Sequence, residues 1–277
     1  MSDPLTLALD LLRRLPPSEI TSNLETLISI CPDLAEELIS SVDQPSQVKT
    51  DSHSSNREYL CCDYNRDGDS FRSPWSSKYD PELPDGTQPP LKLRELEIRA
   101  NEAFNTYRQL YYNGGLSSVY LWELETAGFA GVVLFKKDMR PDSPITCIEL
   151  EGERTPCCWD SLHVFEVSER GGRTTSYELT STVMLSLGRV QEKSKINLAG
   201  SLTRQSKNDF AVKDSASHVA NMGRMIEDME AKMRNQLQEV YFGKTKDIVG
   251  SLRSTDSLAK QKQAKDLQKE LMNMWKK

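Results

Sequence analysis

The string Asp63-Tyr64-Asn65-Arg66-Asp67-Gly68 places side-chain oxygens at alternate positions ahead of a turn glycine, the opening of a calcium-binding loop. That template closes with a bidentate Glu at its twelfth position, which here is Pro74, and Pro-rich sequence occupies the stretch where an exiting helix should begin. The competing reading is a charged turn held by Asn and Asp bonding to nearby backbone. Gly243-Lys244-Thr245 has the ending of a phosphate-binding loop, but the glycine required five positions earlier is Gln238. Of the three histidines (53, 163 and 218), His163 lies in an apolar strand-like run and is expected to be packed or paired rather than a base. The six cysteines include two adjacent pairs, Cys61-Cys62 and Cys157-Cys158, which fit buried structural thiols in a reduced chain better than a disulfide framework. Cys-x-x-Cys, His-Glu-x-x-His and Gly-x-Ser-x-Gly patterns are all missing. No catalytic constellation, metal or cofactor is expected.

The most informative local feature is the C-terminal segment. Leu267, Leu271, Met274 and Trp275 fall at i, i+4, i+7 and i+8 and share one helical face, ringed by Lys260, Lys262, Lys265, Lys269, Lys276 and Lys277. Residues 244–277 hold nine Lys/Arg against four Asp/Glu, a surplus of five. The chain as a whole carries −6, so residues 1–243 carry −11. An acidic body with a basic tail argues against a general nucleic-acid binder and for a tail that meets an acidic partner. An amphipathic terminal helix can dock on its own body, lie on a membrane or enter a partner's groove, and the pattern alone leaves all three open.

Periodicity outlines the framework that carries these residues. The chain has 277 residues, 37% apolar and 27% charged, enough for a real core and too ordered in pattern for general disorder. The longest apolar run, 129–135, is too short to span a bilayer, and the N-terminus lacks the features of a secretory signal. Residues 1–42 read as three short helices with Pro-marked breaks, Asp3 and Ser18 being candidate caps and Pro4 falling at N1. Residues 43–57 read as a polar linker, 73–90 as an extended Pro-rich crossing and 91–112 as an amphipathic helix. Five strand-like runs come next, at 118–124, 129–137, 158–168, 173–187 and 195–202, with a surface excursion at 138–156. Both alternating sets within 129–135 are apolar, so the sheet must be covered on both faces. After a polar gap, Val219, Met222, Ile226, Met229 and Met233 mark a long helix from about 217 to beyond 241, read as core packing rather than coiled coil. The expected class is α+β. Its division is a helical stalk at 1–42, a linker, charged turn and connecting helix at 43–116, an antiparallel sheet at 117–205, a long covering helix at 206–253 and a terminal helix at 254–277.

The string from Cys62 through Trp75 resembles the signature of the F-actin capping protein beta-subunit family. Four further stretches match in order along nearly the whole chain: Leu11-Leu12-Arg13-Arg14-Leu15-Pro16, Ser40-Ser41-Val42-Asp43-Gln44-Pro45, Ser117-Ser118-Val119-Tyr120-Leu121-Trp122 and Tyr241-Phe242-Gly243-Lys244-Thr245-Lys246-Asp247, with Leu202-Thr203-Arg204-Gln205 between the last two. Departures fall in the 49–56 linker, the 138–156 excursion and the last turn of the tail. The resemblance implies a pseudo-twofold heterodimer with a similarly folded alpha subunit, a five-stranded sheet continued across the dimer, and a mobile amphipathic C-terminal helix. It implies a binding protein that blocks gain and loss of subunits at the barbed end of actin filaments in cortical structures of the cytoplasm. It also implies possible contacts with the dynactin actin-related filament, phosphoinositides, myotrophin-like proteins and capping-protein-interaction-motif proteins, and none with nucleic acid. Family tail contacts carry over to Leu267 and Leu271, with Met274 on the same face and Trp275 where a third leucine is usual; Arg234 matches a basic actin-facing position of the long helix. The alternatives are a calcium-binding or a membrane-surface regulatory module.

Overall fold

A computed structural model describes residues 3–125, 128–139, 157–170, 174–191 and 194–240. The chain begins with three helices, α1 (Pro4–Leu12), α2 (Ile20–Ile30) and α3 (Ala35–Ser41). Pro4 stands at N1 as expected, where its missing amide hydrogen costs nothing. Asp3 occupies the cap position, but its carboxylate accepts from the Thr6 hydroxyl at 3.3 Å instead of from a backbone amide. Ser18 is not a cap: Pro17 opens a 3₁₀ turn that contains it, and α2 starts after Glu19. The three helices close on Leu12, Leu24 and Leu38, each buried.

The polar stretch expected to be a linker is in fact a hairpin, β1 (Gln47–Asp51) and β2 (Arg57–Cys61), paired antiparallel from Gln47↔Cys61 to Asp51↔Arg57. Its turn takes Ser55 and Asn56 through positive φ, 52° and 54°, a conformation that Asn tolerates better than most residues. The strand signal was hidden because β1 is polar apart from Val48, whereas Tyr59, Leu60 and Cys61 of β2 are buried. Beyond the hairpin lies a three-stranded patch, β3 (Arg66–Asp67), β4 (Ser70–Arg72) and β5 (Tyr79–Asp80).

Helix α4 (Leu91–Tyr111) leads into the main sheet: β6 (Leu116–Glu123), β7 (Gly128–Met139), β8 (Cys157–Arg170), β9 (Thr174–Gln191) and β10 (Ser194–Ala211). The strands lie in chain order, every pair antiparallel. The fifth strand runs nine residues past the expected 202, because Thr203 to Ala211 continue the register with β9 from Thr182 to Thr174. Those residues are polar and largely exposed, as an edge strand permits, so hydropathy alone reads them as a gap. Gly200 of β10 meets the stalk so closely that a Cβ would sit 2.8 Å from the Arg13 carbonyl oxygen, and the Ser201 amide donates to that same oxygen at 3.0 Å.

Both faces of the sheet are covered, as the doubly apolar 129–135 run requires. On one face, Val133, Phe135, Phe165 and Leu179 pack with Leu96, Phe104 and the long helix α5 (Ser215–Val240). On the other, Val132, Leu134, Leu162 and Met184 pack with Leu60 of the hairpin. The α5 stripe is core, as expected: Met222, Met225, Ile226, Met229 and Met233 are all buried. Each such side chain stabilises the fold by about 1.5–3 kcal/mol relative to exposure.

Candidate functional site

Of the residues singled out from sequence as a binding surface, Leu267, Leu271, Met274 and Trp275 lie outside the described residues. Arg234 is described: it sits half-buried on α5, one turn after Glu230. Arg234 shares a flank with buried Glu230 and the exposed residues of α5 lie on another side, so the candidate surface is the helix as a whole, and its geometry depends on what fixes that helix to the sheet. The N-terminal end is capped by Asp214, whose carboxylate accepts from the Ser217 hydroxyl at 2.8 Å and amide at 2.9 Å, holding the carboxyl below its usual range.

Midway along, Glu230 is fully buried and ties three elements together. Its oxygens accept from Tyr107 (2.8 Å) and Tyr112 (2.5 Å), the latter just past α4, and from Ser161 (3.4 Å) on β8. His163 Nε2 lies 3.1 Å from the same carboxylate, and its Nδ1 is 2.8 Å from the Ser181 hydroxyl on β9. His163 is thus paired and enclosed, as the sequence suggested, with no access for a substrate. One turn earlier, Glu227 accepts from the Tyr111 hydroxyl at 2.6 Å. Exposed Arg224, Asp228 and Lys232 face outward along α5, with the Arg224 guanidinium 5.7 Å from the Phe210 ring.

The calcium-like string is built as a structural turn. The Asn65 amide donates to the Arg72 carbonyl at 2.8 Å and its oxygen accepts from the Cys62 amide at 2.8 Å, so this would-be ligand is spent inward. Asp67 accepts from the Thr87 amide at 3.1 Å, while Arg66 lies 4.0 Å from Asp63 and 3.4 Å from Asp69. Among the described residues no cluster of acidic, histidine or cysteine side chains could hold a metal.

The chain just beyond that turn is anchored by a buried cluster that sequence reasoning missed. Arg72 makes a two-pronged pair with Glu97 of α4, at 2.8 and 2.7 Å, and Glu97 also accepts from Arg94 and from the Leu121 amide at 2.7 Å. Arg94 in turn holds the Pro74 and Trp75 carbonyls at 2.8 and 2.9 Å. A second cluster fixes the segment that follows the stalk to the opposite face: Asp160 on β8 accepts from Lys136 at 2.8 Å and from the Ser46 amide at 2.9 Å. Burial pushes the Asp160 carboxyl above its usual range, and the lysine opposes that shift. Asp43 accepts from Thr182 at 2.6 Å nearby. A sequence signal existed for the two glutamates. Glu97 and Glu230 fall inside the apolar stripes of their helices, at i+4 from Leu93 and Ile226, where a charge requires a buried partner.

Three buried or half-buried thiols are poor nucleophiles. Burial pushes Cys61 up to about 12, and Cys62 and Cys158 are also raised by burial. The ionisable clusters of the described residues act as fasteners, and what they hold in place is a helical surface.

Comparison with known proteins is consistent with that geometry. The sequence pattern of the family "F-actin capping protein, beta subunit" matches residues 5–249. The F-actin-capping protein subunit beta of Aspergillus oryzae is 52% identical over 266 residues, covering 96% of this chain and 95% of its own. The protein of the same name from Drosophila melanogaster is 53% identical over 266 residues, covering 95% and 92%. That of Neurospora crassa is 49% identical over 298 residues, covering 100% and 99%.

Proposed function

The chain belongs to the F-actin capping protein beta-subunit family, and on that premise we propose that it is the beta subunit of a heterodimer that binds filament barbed ends and blocks subunit addition and loss. The observation that carries this reading is near-complete coverage, in both directions, by relatives of about half identity bearing the capping name.

Two structural features support a required partner. Leu7, Leu11, Ile30 and Ile39 are 49–68% exposed on the stalk helices, apolar side chains that a partner could cover. Strand β10 is an 18-residue edge, and a long edge invites pairing with another chain. An alpha subunit of similar fold would cover the first and extend the second. In this reading the protein performs no chemistry and works in the cytoplasmic actin cytoskeleton without calcium. The basic tail supplies Leu267, Leu271, Met274 and Trp275 to an apolar cleft on terminal actin, while Arg234 adds to a basic patch. The 1–42 stalk and the 254–277 tail are then separate functional parts, and actin-related filaments and phosphoinositides are further candidate partners. The spent ligands at Asn65 and Asp67 leave the calcium alternative without support.

The test is co-expression with an alpha subunit and then seeded-filament elongation. The chain alone should be poorly soluble, and the heterodimer should stop barbed-end growth at substoichiometric amounts. A monodisperse, cooperatively melting monomer, or a heterodimer without effect on elongation, would overturn the proposal.

A further inference from the structure

The two edge strands of the main sheet, β10 and β6, differ in sequence. Strand β10 carries Arg204, Lys207 and Asp209, charges that restrict pairing to a complementary strand. Residues 117–122 of β6 read Ser-Ser-Val-Tyr-Leu-Trp, rich in strand formers and without a charge, a glycine or a proline. Short uncharged segments of that kind pair with copies of themselves when their edge is bare.

Among the described residues no strand pairs with the outer side of β6. Side chains of α4 close it instead. The Asn101 amide group donates to the Val119 carbonyl at 2.9 Å, and its oxygen accepts from the Val119 amide at 2.9 Å. One side chain thus makes both bonds that an opposing strand residue would make. Glu97 accepts from the Leu121 amide at 2.7 Å. Val119 and Leu121 are alternate residues, so these groups point to the same side of β6, away from β7. The two repeats match in length: Glu97 and Asn101 stand one turn apart, about 6 Å along the helix, and alternate strand residues stand about 6.8 Å apart. Glu97, Asn101, Val119 and Leu121 are all buried, so each of these polar groups needs the bond it makes.

We propose that α4, through Asn101 and Glu97, stands in for a further strand and keeps β6 from pairing with a second copy of this chain. The sheet can then grow only at β10. A unit with two open edges adds copies without end, whereas a unit with one open edge stops at a pair. This last consequence rests on the proposed heterodimer, whose partner would occupy β10; the closure of β6 does not. Glu97 also holds Arg72 and Arg94, so Asn101 is the member to change with the least collateral loss.

The experiment uses the co-expressed heterodimer. In wild type, the Val119 and Leu121 amides should exchange within about tenfold of the Tyr120 amide, which faces β7. Asn101→Leu fills the space without the bonds, and Asn101→Ser is a milder loss. Met225→Ala, at a buried position of α5, is the control for lost stability alone. Held equally far below their melting temperatures, both Asn101 variants should form sedimenting assemblies about tenfold faster than Met225→Ala, with amides 117–122 protected inside them. Adding Trp122→Lys, a charge within the exposed segment, should slow that assembly without raising the melting temperature. Fast wild-type exchange at Val119 and Leu121 overturns the proposal, and this readout decides even where neither Asn101 variant yields a heterodimer. Equal assembly by Met225→Ala overturns it too, as do assemblies protected outside 117–122 and Asn101 variants that stay single heterodimers. Seeded-filament elongation runs in parallel: a heterodimer that does not cap overturns the proposed function and leaves the closure of β6 standing.

Discussion

Replacing Glu97 by Ala should be among the most damaging single changes in this chain, although the residue is remote from the tail. Its carboxylate is completely buried and accepts from Arg72, Arg94 and the Leu121 amide, while the Arg72 side chain is 5% exposed. Truncation leaves a buried guanidinium without its counter-charge, a change that costs about 3–5 kcal/mol in comparable pairs. The stranded Leu121 amide places the expected loss in the upper half of that range, about 4–5 kcal/mol. Guanidinium unfolding of the co-expressed heterodimer, monitored by near-UV circular dichroism, measures it. Arg66→Ala is the internal comparison: it removes contacts to Asp63 and Asp69, but Arg66 is 46% exposed, so the loss should stay below about 1 kcal/mol. The pair Arg72→Met with Glu97→Leu should recover part of the single-mutant deficit, since Arg72 is then no longer unpaired, while Arg94 still lacks Glu97. A Glu97→Ala loss no larger than that of Arg66→Ala would show that the pair does not anchor α4, as would a double variant worse than the single.

Deleting 258–277, or Leu271→Arg, should weaken capping on the order of 10- to 1,000-fold, from about 1.5–4 kcal/mol of net apolar burial on actin, with thermal melts nearly unchanged. Normal capping by Leu271→Arg in a seeded-filament assay sinks that assignment. Calcium at millimolar concentration should shift neither melting temperature nor capping, because Asn65 and Asp67 are already bonded; a saturable stabilisation abolished by Asp63→Ala would reverse this. Burial raises the Asp51 carboxyl, but bonds from Ser73, Ser76 and His53 outweigh it and leave the folded value lowered. Its stabilisation is therefore present above the unfolded value near 4 and lost as pH falls through the lower folded one. Asp51→Asn should be less stable than wild type at pH 7, with the deficit shrinking between about pH 5 and pH 3; a deficit that grows on acidification contradicts the sign.

The parts of this fold legible in the sequence are those where burial is continuous along the chain. Residues 129–135 had to be a strand covered on both faces because both alternating sets are apolar, and clusters on opposite sheet faces account for each set. The Met222-to-Met233 stripe had to face a core for the same reason. Strands without a continuous apolar face were invisible: β1 is polar apart from Val48, and β10 beyond Leu202 is a largely polar edge whose register is dictated by β9. The polar clusters were hidden differently, by distance. Asp160 meets Ser46 across 114 positions, Glu230 meets His163 across 67, and Glu97 meets Arg72 across 25, so no local pattern pairs them. What is local is the anomaly of an acid inside an apolar stripe. Glu230 stands four residues after Ile226 and three before Met233, a placement that exposes the carboxylate only if the stripe is exposed too. Since the stripe is core, Glu230 had to be buried and bonded, and the side chain one turn on, Arg234, is held in register with it. The outward face of α5 is thus fixed by contacts made on its inward one.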